Sequence, residues 1–210
     1  MNMVKRENQN KRFFNIVAGV YDRGIVGKWL FGIIEKTIKE VNIDESSKIL
    51  DVGTGTGNLL AFLEKKNKKL DLYGIDISEK MLSVARKKVR YAHFFKLSVL
   101  DINKKFKESS FDYIFVIDAF HHFPEQEEVM HNFHKILKNR GALIITELDF
   151  GRVFNYLFHI LEPGNQWIYT KRQMRNLFIE SMFTIKKQKK IGLFSYITIG
   201  TKVKPKRRIK

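Results

Sequence analysis

The densest chemistry in this 210-residue sequence lies in Asp51-Val52-Gly53-Thr54-Gly55-Thr56-Gly57. Alternating glycines let a backbone turn tightly and approach a ligand closely. The turn follows a short apolar run, Lys48–Val52, and precedes Asn58–Lys66, which reads as a helix. A second apolar run, Leu70–Ile75, leads directly into Asp76, 19 positions after Gly57. A carboxylate at such a strand end can accept both hydroxyls of a ribose. The constellation therefore predicts a nucleoside-containing cofactor. A pyrophosphate prefers a helix N-terminus free of carboxylates. Here Asp51 stands just before the glycines, and their spacing is G-x-G-x-G rather than G-x-G-x-x-G. An ammonium suits Asp51, and a carboxylate suits the N–H groups of the turn. S-adenosylmethionine (SAM), whose methionine end carries both groups, fits this chemistry better than NAD.

The next candidates are His121 and His122, which follow the strongly apolar run Asp112–Ile117. Either could take a proton from an acceptor lying beyond that strand, although packing or hydrogen bonding is the commoner role for such residues. His131 and His134 share a helix face with Glu127, a spacing that could hold a metal. A solvated helix face is the simpler reading, and no metal is expected. His93 and His159 stand alone.

The elements that must position these groups alternate. Glu79–Arg90 reads as a helix with Ser78 as its N-cap. Phe94–Leu100 reads as a weak strand, Gln126–Lys138 as a helix and Gly141–Glu147 as a strand. Strands alternating with helices imply βαβ units, a parallel sheet and a ligand at the carboxyl ends of the strands. Residues 8–41 read as two helices before the first strand, and 153–162 as a short helix that is apolar nearly all round. Thr170 can cap a helix at 171–181. The last two runs, on either side of Ile191-Gly192-Leu193, read as a hairpin that ends the sheet in an antiparallel strand.

Composition bounds the rest. The length favours one domain. The 44% hydrophobic content excludes a disordered chain. With no Cys there are no disulfides, thiolate zinc sites or Cys nucleophile. No run reaches the 18 or more apolar residues of a membrane span, and the basic N-terminus lacks the apolar core of a signal peptide. A soluble cytoplasmic protein is expected. The net charge is +17, with basic runs at 186–190 and 202–210. Such a balance fits either a Lys-rich composition or an anionic partner such as nucleic acid. Phe13, Phe14, Phe154, Tyr156, Phe158, Trp167 and Tyr169 fall in the two segments expected to flank the pocket mouth.

From about residue 45 to 200 the sequence resembles the class I SAM-dependent methyltransferases. ILDVGTGTG looks like their first motif and GIDIS like their acidic ribose loop. Leu100-Asp101-Ile102 is similar to the adenine-edge motif, FDYIFVIDAFHHFP to the fourth-strand motif, and ILKNRGALIITE to the helix-turn-strand that follows. The N-terminal RFFNIVAGVYDRG further resembles the quinone-biosynthesis type of small-molecule methyltransferase. The resemblance implies a Rossmann-like doubly wound sheet with N-terminal helices and a helical insertion after the fifth strand. It divides a single domain into a helical lid (1–44), a SAM-binding core (45–150), substrate-side helices (151–182) and a terminal hairpin with a basic tail (183–210). The implied cofactor residues are Tyr21, which would close over the SAM carboxylate, with Asp51, Gly53, Thr54, Gly55, Gly57, Asp76, Ile77, Met81, Asp101, Ile102 and Ile117. The implied reaction is in-line methyl transfer to a small apolar or aromatic acceptor, leaving S-adenosylhomocysteine. Two alternatives stay open: an RNA or protein methyltransferase that uses the basic tail, and a SAM-binding protein without turnover. Exocyclic-amine methylation of nucleic acid is disfavoured, because Ile117-Asp118-Ala119-Phe120 stands where that branch has Asn/Asp-Pro-Pro-aromatic. Arsenite methylation is disfavoured by the absence of Cys.

Overall fold

The computed structural model describes residues 3–149, 151 and 167–203. Two helices, α1 (Met3–Val17) and α2 (Gly24–Lys39), precede the sheet. There follow β1 (Lys48–Val52), α3 (Asn58–Lys66), β2 (Asp71–Asp76), α4 (Glu79–Lys88), β3 (Ala92–Lys96), the short α5 (Ile102–Lys105) and β4 (Phe111–Ile117). Then come α6 (Gln126–Ile136), β5 (Leu137–Leu148), α7 (Lys171–Glu180), β6 (Phe183–Lys190) and β7 (Ser195–Lys202).

The seven strands lie in the order β3-β2-β1-β4-β5-β7-β6. All neighbouring pairs are parallel except those made by β7, which runs antiparallel to β5 and β6. The expected doubly wound sheet with an antiparallel terminal strand is therefore what forms. The strand order reverses between β1 and β4, and an open α/β sheet offers its ligand crevice at such a switch point. Both faces are covered, which is why the central strands read as continuous apolar runs. Along β4, Ile114 and Val116 join the layer with α6 and α7, while Phe115 and Ile117 join the layer with α2 and α3. Helix α2 buries Leu30, Ile33, Ile34 and Ile38, one stripe at helical spacing.

Local chemistry sets the helix starts. Ser78 Oγ accepts the Met81 N–H at 3.1 Å, and Thr170 with Gln173 forms a capping box on α7. Two expected boundaries move. The third strand is Ala92–Lys96, not Phe94–Leu100, because Ser98 turns the chain into a 3-10 turn at Val99–Asp101. The fifth strand begins at Leu137, where it already pairs with Phe111. The lysines of β6 are explained by its position at the sheet edge, where charge discourages pairing with another chain. Two of them, Lys187 and Lys189, reach Glu40 at 3.2 and 2.7 Å. The helix expected at 153–162, with Phe154, Tyr156, Phe158 and His159, lies outside the described residues, as does the basic tail from 204. Among the described residues no helix is long and apolar enough to cross a membrane.

Candidate active site

At the carboxyl ends of β1, β2 and β4 a cavity of about 940 Å³, open mouth included, reaches under α1 and α2. Its floor is the glycine turn. Gly53 and Gly55 have φ of 72° and 53°, left-handed values that favour glycine. A Cβ on Gly53 would also stand 2.7 Å from the Ala119 Cβ. The turn is fastened to β2. Gly53 and Thr54 both donate N–H to the Ile75 carbonyl, and Gly55 N–H donates to Asp76 Oδ2 at 2.9 Å. The other oxygen of Asp76 accepts the Ser78 N–H at 2.8 Å. Asp76 therefore ties the glycine turn to the start of α4 and keeps lone pairs for a ligand. Gly57 N–H goes to the Thr54 carbonyl. Four turn N–H groups are thus used internally, so a ligand carboxylate must find other donors.

Asp51 is buried and accepts the Thr54 hydroxyl at 2.7 Å. Burial pushes its carboxyl up to about 7, the Thr54 bond opposes this, and the nearby Asp76 adds to it. Burial also pushes Asp76 up, to about 6, against its three backbone hydrogen bonds. Two desolvated carboxylates facing one cavity call for a cationic ligand group.

The roof comes from the N-terminal segment. Phe14 and Tyr21 line the cavity, with Phe14 edge-on to His122 at 5.1 Å. Polar contacts at three of its residues hold the segment down. Asn10 donates to the His122 carbonyl at 3.2 Å, and Ser78 donates to Asn15 Oδ1 at 2.7 Å. Asp22 accepts from Thr56 Oγ1 and Asn58 Nδ2 at 2.6 and 2.7 Å and pairs with Lys88 at 2.7 Å. Burial would raise the Asp22 carboxyl, but the bonds from Lys88, Thr56 and Asn58 outweigh it and hold the group below its usual value. Nothing local in the Tyr21-Asp22 pair marks Asp22 for this role, because its partners Thr56, Asn58 and Lys88 are distant in the chain. Asp22→Ala is expected to weaken SAM binding by about 1–2 kcal/mol, near tenfold, a range reduced for the partial exposure of the site. Calorimetry checks the affinity, and faster tryptic cleavage at Arg12 and Arg23 checks the loosened roof.

Several expected site residues converge here. Tyr21, Asp51, Gly53, Thr54, Gly55, Asp76, Ile77, Met81, Ile117 and His122 all line the cavity. Others do not. Gly57 packs against Ala85 on the far side of the turn. Asp101 pairs with Lys104 at 2.6 Å, and Ile102 is buried in the core. Leu97 and Val99 line the wall next to that motif instead. His121 turns away from the cavity into the protein, where its Nδ1 bonds Glu147 Oε2 at 2.8 Å. Glu147 Oε1 also accepts the Phe120 N–H at 2.7 Å. His122 Nδ1 is sealed from solvent and has no hydrogen-bond partner among the described residues. Burial, and then the charge of His121, push His122 well below the usual histidine value, so it is neutral at pH 7. On α6, His131 Nδ1 contacts the Glu127 carbonyl and His134 packs on Phe183. Sequence reasoning missed Glu147, yet a carboxylate ending the apolar run GALIITE was its signal.

Residues 43–194 match the methyltransferase domain family, and the chain belongs to that family. It is 34% identical over 152 residues to the demethylmenaquinone methyltransferase of Thermotoga maritima, covering 69% of this chain and 63% of that one. The chain spans about three-fifths or less of the length of the first curated relatives it matches. Its fold is that of a SAM-dependent methyltransferase from Aquifex aeolicus, with a TM-score of 0.74, 20% identity and coverage of 90% and 98%. The [4+2]-cyclase SpnF has the same fold, with a TM-score of 0.80, 13% identity and coverage of 95% and 97%.

Proposed function

We propose that the chain transfers a methyl group from SAM to a small apolar or aromatic acceptor, and that a quinone-type ring is the acceptor class. The observation that carries this reading is one cavity bounded below by Asp51, the glycine turn and Asp76, above by Phe14 and Tyr21, and lined also by Phe123. SAM fits the residues present. Asp51 would take its ammonium, Asp76 its ribose, and Ile77, Met81, Leu97 and Val99 its adenine. When bound, SAM supplies an electrophilic methyl group. The chain's own contribution is to orient that group, to exclude water and to hold an acceptor in line with it, which can be worth about 7–11 kcal/mol. An apolar lining suits this work, because a sulfonium loses its charge as the methyl leaves. Residues 1–44 act as the lid, and the protein acts in the cytoplasm.

The kinship with a demethylmenaquinone methyltransferase supports the acceptor class. RNA is less well supported, because Lys187 and Lys189, two of the basic run at 186–190, are already paired with Glu40. Mass spectrometry of the purified protein for bound nucleosides, followed by a SAM-turnover screen over reduced naphthoquinones, amines and RNA, tests the reading. Methylated naphthoquinol is expected. Methylated RNA with no quinol product would replace it.

A further inference from the structure

We propose that Asp118 is a catalytic residue that takes the proton released by the methyl acceptor, and that His121 and Glu147 are positioning residues behind it. The inference rests on the methyl-transfer reading above. Asp118 follows β4 directly and lines the cavity next to Ile117 and Ala119, on the side of His122 and Phe123. Its backbone is unusual, with φ of 52° in a residue other than glycine. Such conformations are strained and persist where surrounding structure enforces them, often at functional sites. Here the enforcement is visible: Asp118 N–H donates to the Thr146 carbonyl on β5 at 2.8 Å.

Side-chain oxygens of Asp118 and Glu147 and a ring nitrogen of His121 all lie within 4.8 Å of one another. His121 and Glu147 are only 4% and 2% exposed. The Glu147 carboxylate holds both the His121 ring, at Nδ1, and the Phe120 backbone, so the turn that carries Asp118 toward the cavity has one fixed shape. His122 is the less suitable proton acceptor, because burial and then the charge of His121 hold its ring well below the usual histidine value, whereas a carboxylate oxygen of Asp118 stands within 4.8 Å of both the His121 ring and Glu147. The balance of the step is simple. An electron pair of the acceptor forms the new bond to the methyl carbon, and the carbon–sulfur pair remains on sulfur. The acceptor's X–H pair remains on X, and its proton passes to the Asp118 carboxylate.

A stable probe pair tests this without turnover: 1-naphthol, which can donate a hydrogen bond, and 1-methoxynaphthalene, which cannot. With S-adenosylhomocysteine bound, the wild type is expected to prefer 1-naphthol by at least about tenfold, the value of a hydrogen bond to a charged group. Asp118→Asn should erase most of that preference while leaving S-adenosylhomocysteine affinity unchanged. Glu147→Gln keeps the side chain's shape and should reduce the preference only partly. In turnover, Asp118→Asn should lose about 10²–10⁴ in kcat with the KM for SAM unchanged. A wild type without the preference, or an Asp118→Asn variant that retains it, overturns the assignment. So does stabilisation of the wild type by Zn²⁺ or Mg²⁺ that Asp118→Asn abolishes, since that result makes the trio a metal site. Failure of S-adenosylhomocysteine to bind the wild type would instead strike the methyl-transfer reading itself.

Discussion

Replacing Asp76 with Ala is expected to reduce SAM affinity on the order of 100-fold. The carboxylate has two duties. It accepts the N–H groups of Gly55 and Ser78, and it lines the cavity, where the proposed SAM would place its ribose. Its loss leaves two backbone donors without their partner and removes the ribose acceptor. Hydrogen bonds to a charged group contribute about 1.5–3 kcal/mol each, and exposure of the turn to water recovers part of the sum. Asp76→Asn, which keeps one acceptor oxygen, should fall between the two proteins. Equilibrium dialysis with labelled SAM reads both variants. Unchanged affinity in Asp76→Ala would remove the ribose assignment.

The second large effect is a pH dependence carried by Asp51. In the free protein, burial places this carboxyl at about 7 and Asp76 at about 6. A cation bound next to Asp51 favours the ionised form, so binding at pH 6 must release a proton. SAM affinity should therefore rise between pH 5.5 and pH 7.5 and level off above. Asp51→Asn should bind more weakly at pH 7.5 and show a much flatter profile. The sign for stability runs the other way. Both folded-state values lie above the unfolded value near 3.9. The stabilisation these two groups give the free protein is fully present below about pH 4 and is lost as pH rises through 6 and then 7. His122 opposes this, because its lowered folded-state value costs stability as pH falls below about 6.5. The comparison that isolates Asp51 is the difference in Tm between Asp51→Asn and wild type, which should grow with pH and shrink when SAM is added. A difference independent of pH would contradict the role given to Asp51.

Features carried by adjacent residues could be read directly from the chain. The glycine turn, the acid at the end of β2, the Ser78 cap and the Thr170 capping box each place cause and effect within a few positions. The apolar runs of β1, β4 and β5 marked the sheet centre for the same reason. What escaped depends on contacts between distant residues. Asp22 meets Thr56 across 34 positions, and His121 meets Glu147 across 26. No local pattern announces either pair. The end of β3 differs from its expected position because it is an edge strand of mixed exposure, where periodicity is weak and Ser98 decides the turn. Asp101 shows the limit of motif matching. The motif leads the chain to the cavity wall, but Leu97 and Val99 line it while Asp101 pairs with Lys104.

The Asp51–Gly57 turn and Asp76 together are the proposed SAM site. Isothermal calorimetry of the full chain with SAM tests it most directly, followed by displacement with S-adenosylhomocysteine. One saturable site per chain is predicted, competed by S-adenosylhomocysteine and unaffected by NAD. No binding heat with SAM, or displacement by NAD, would contradict the account.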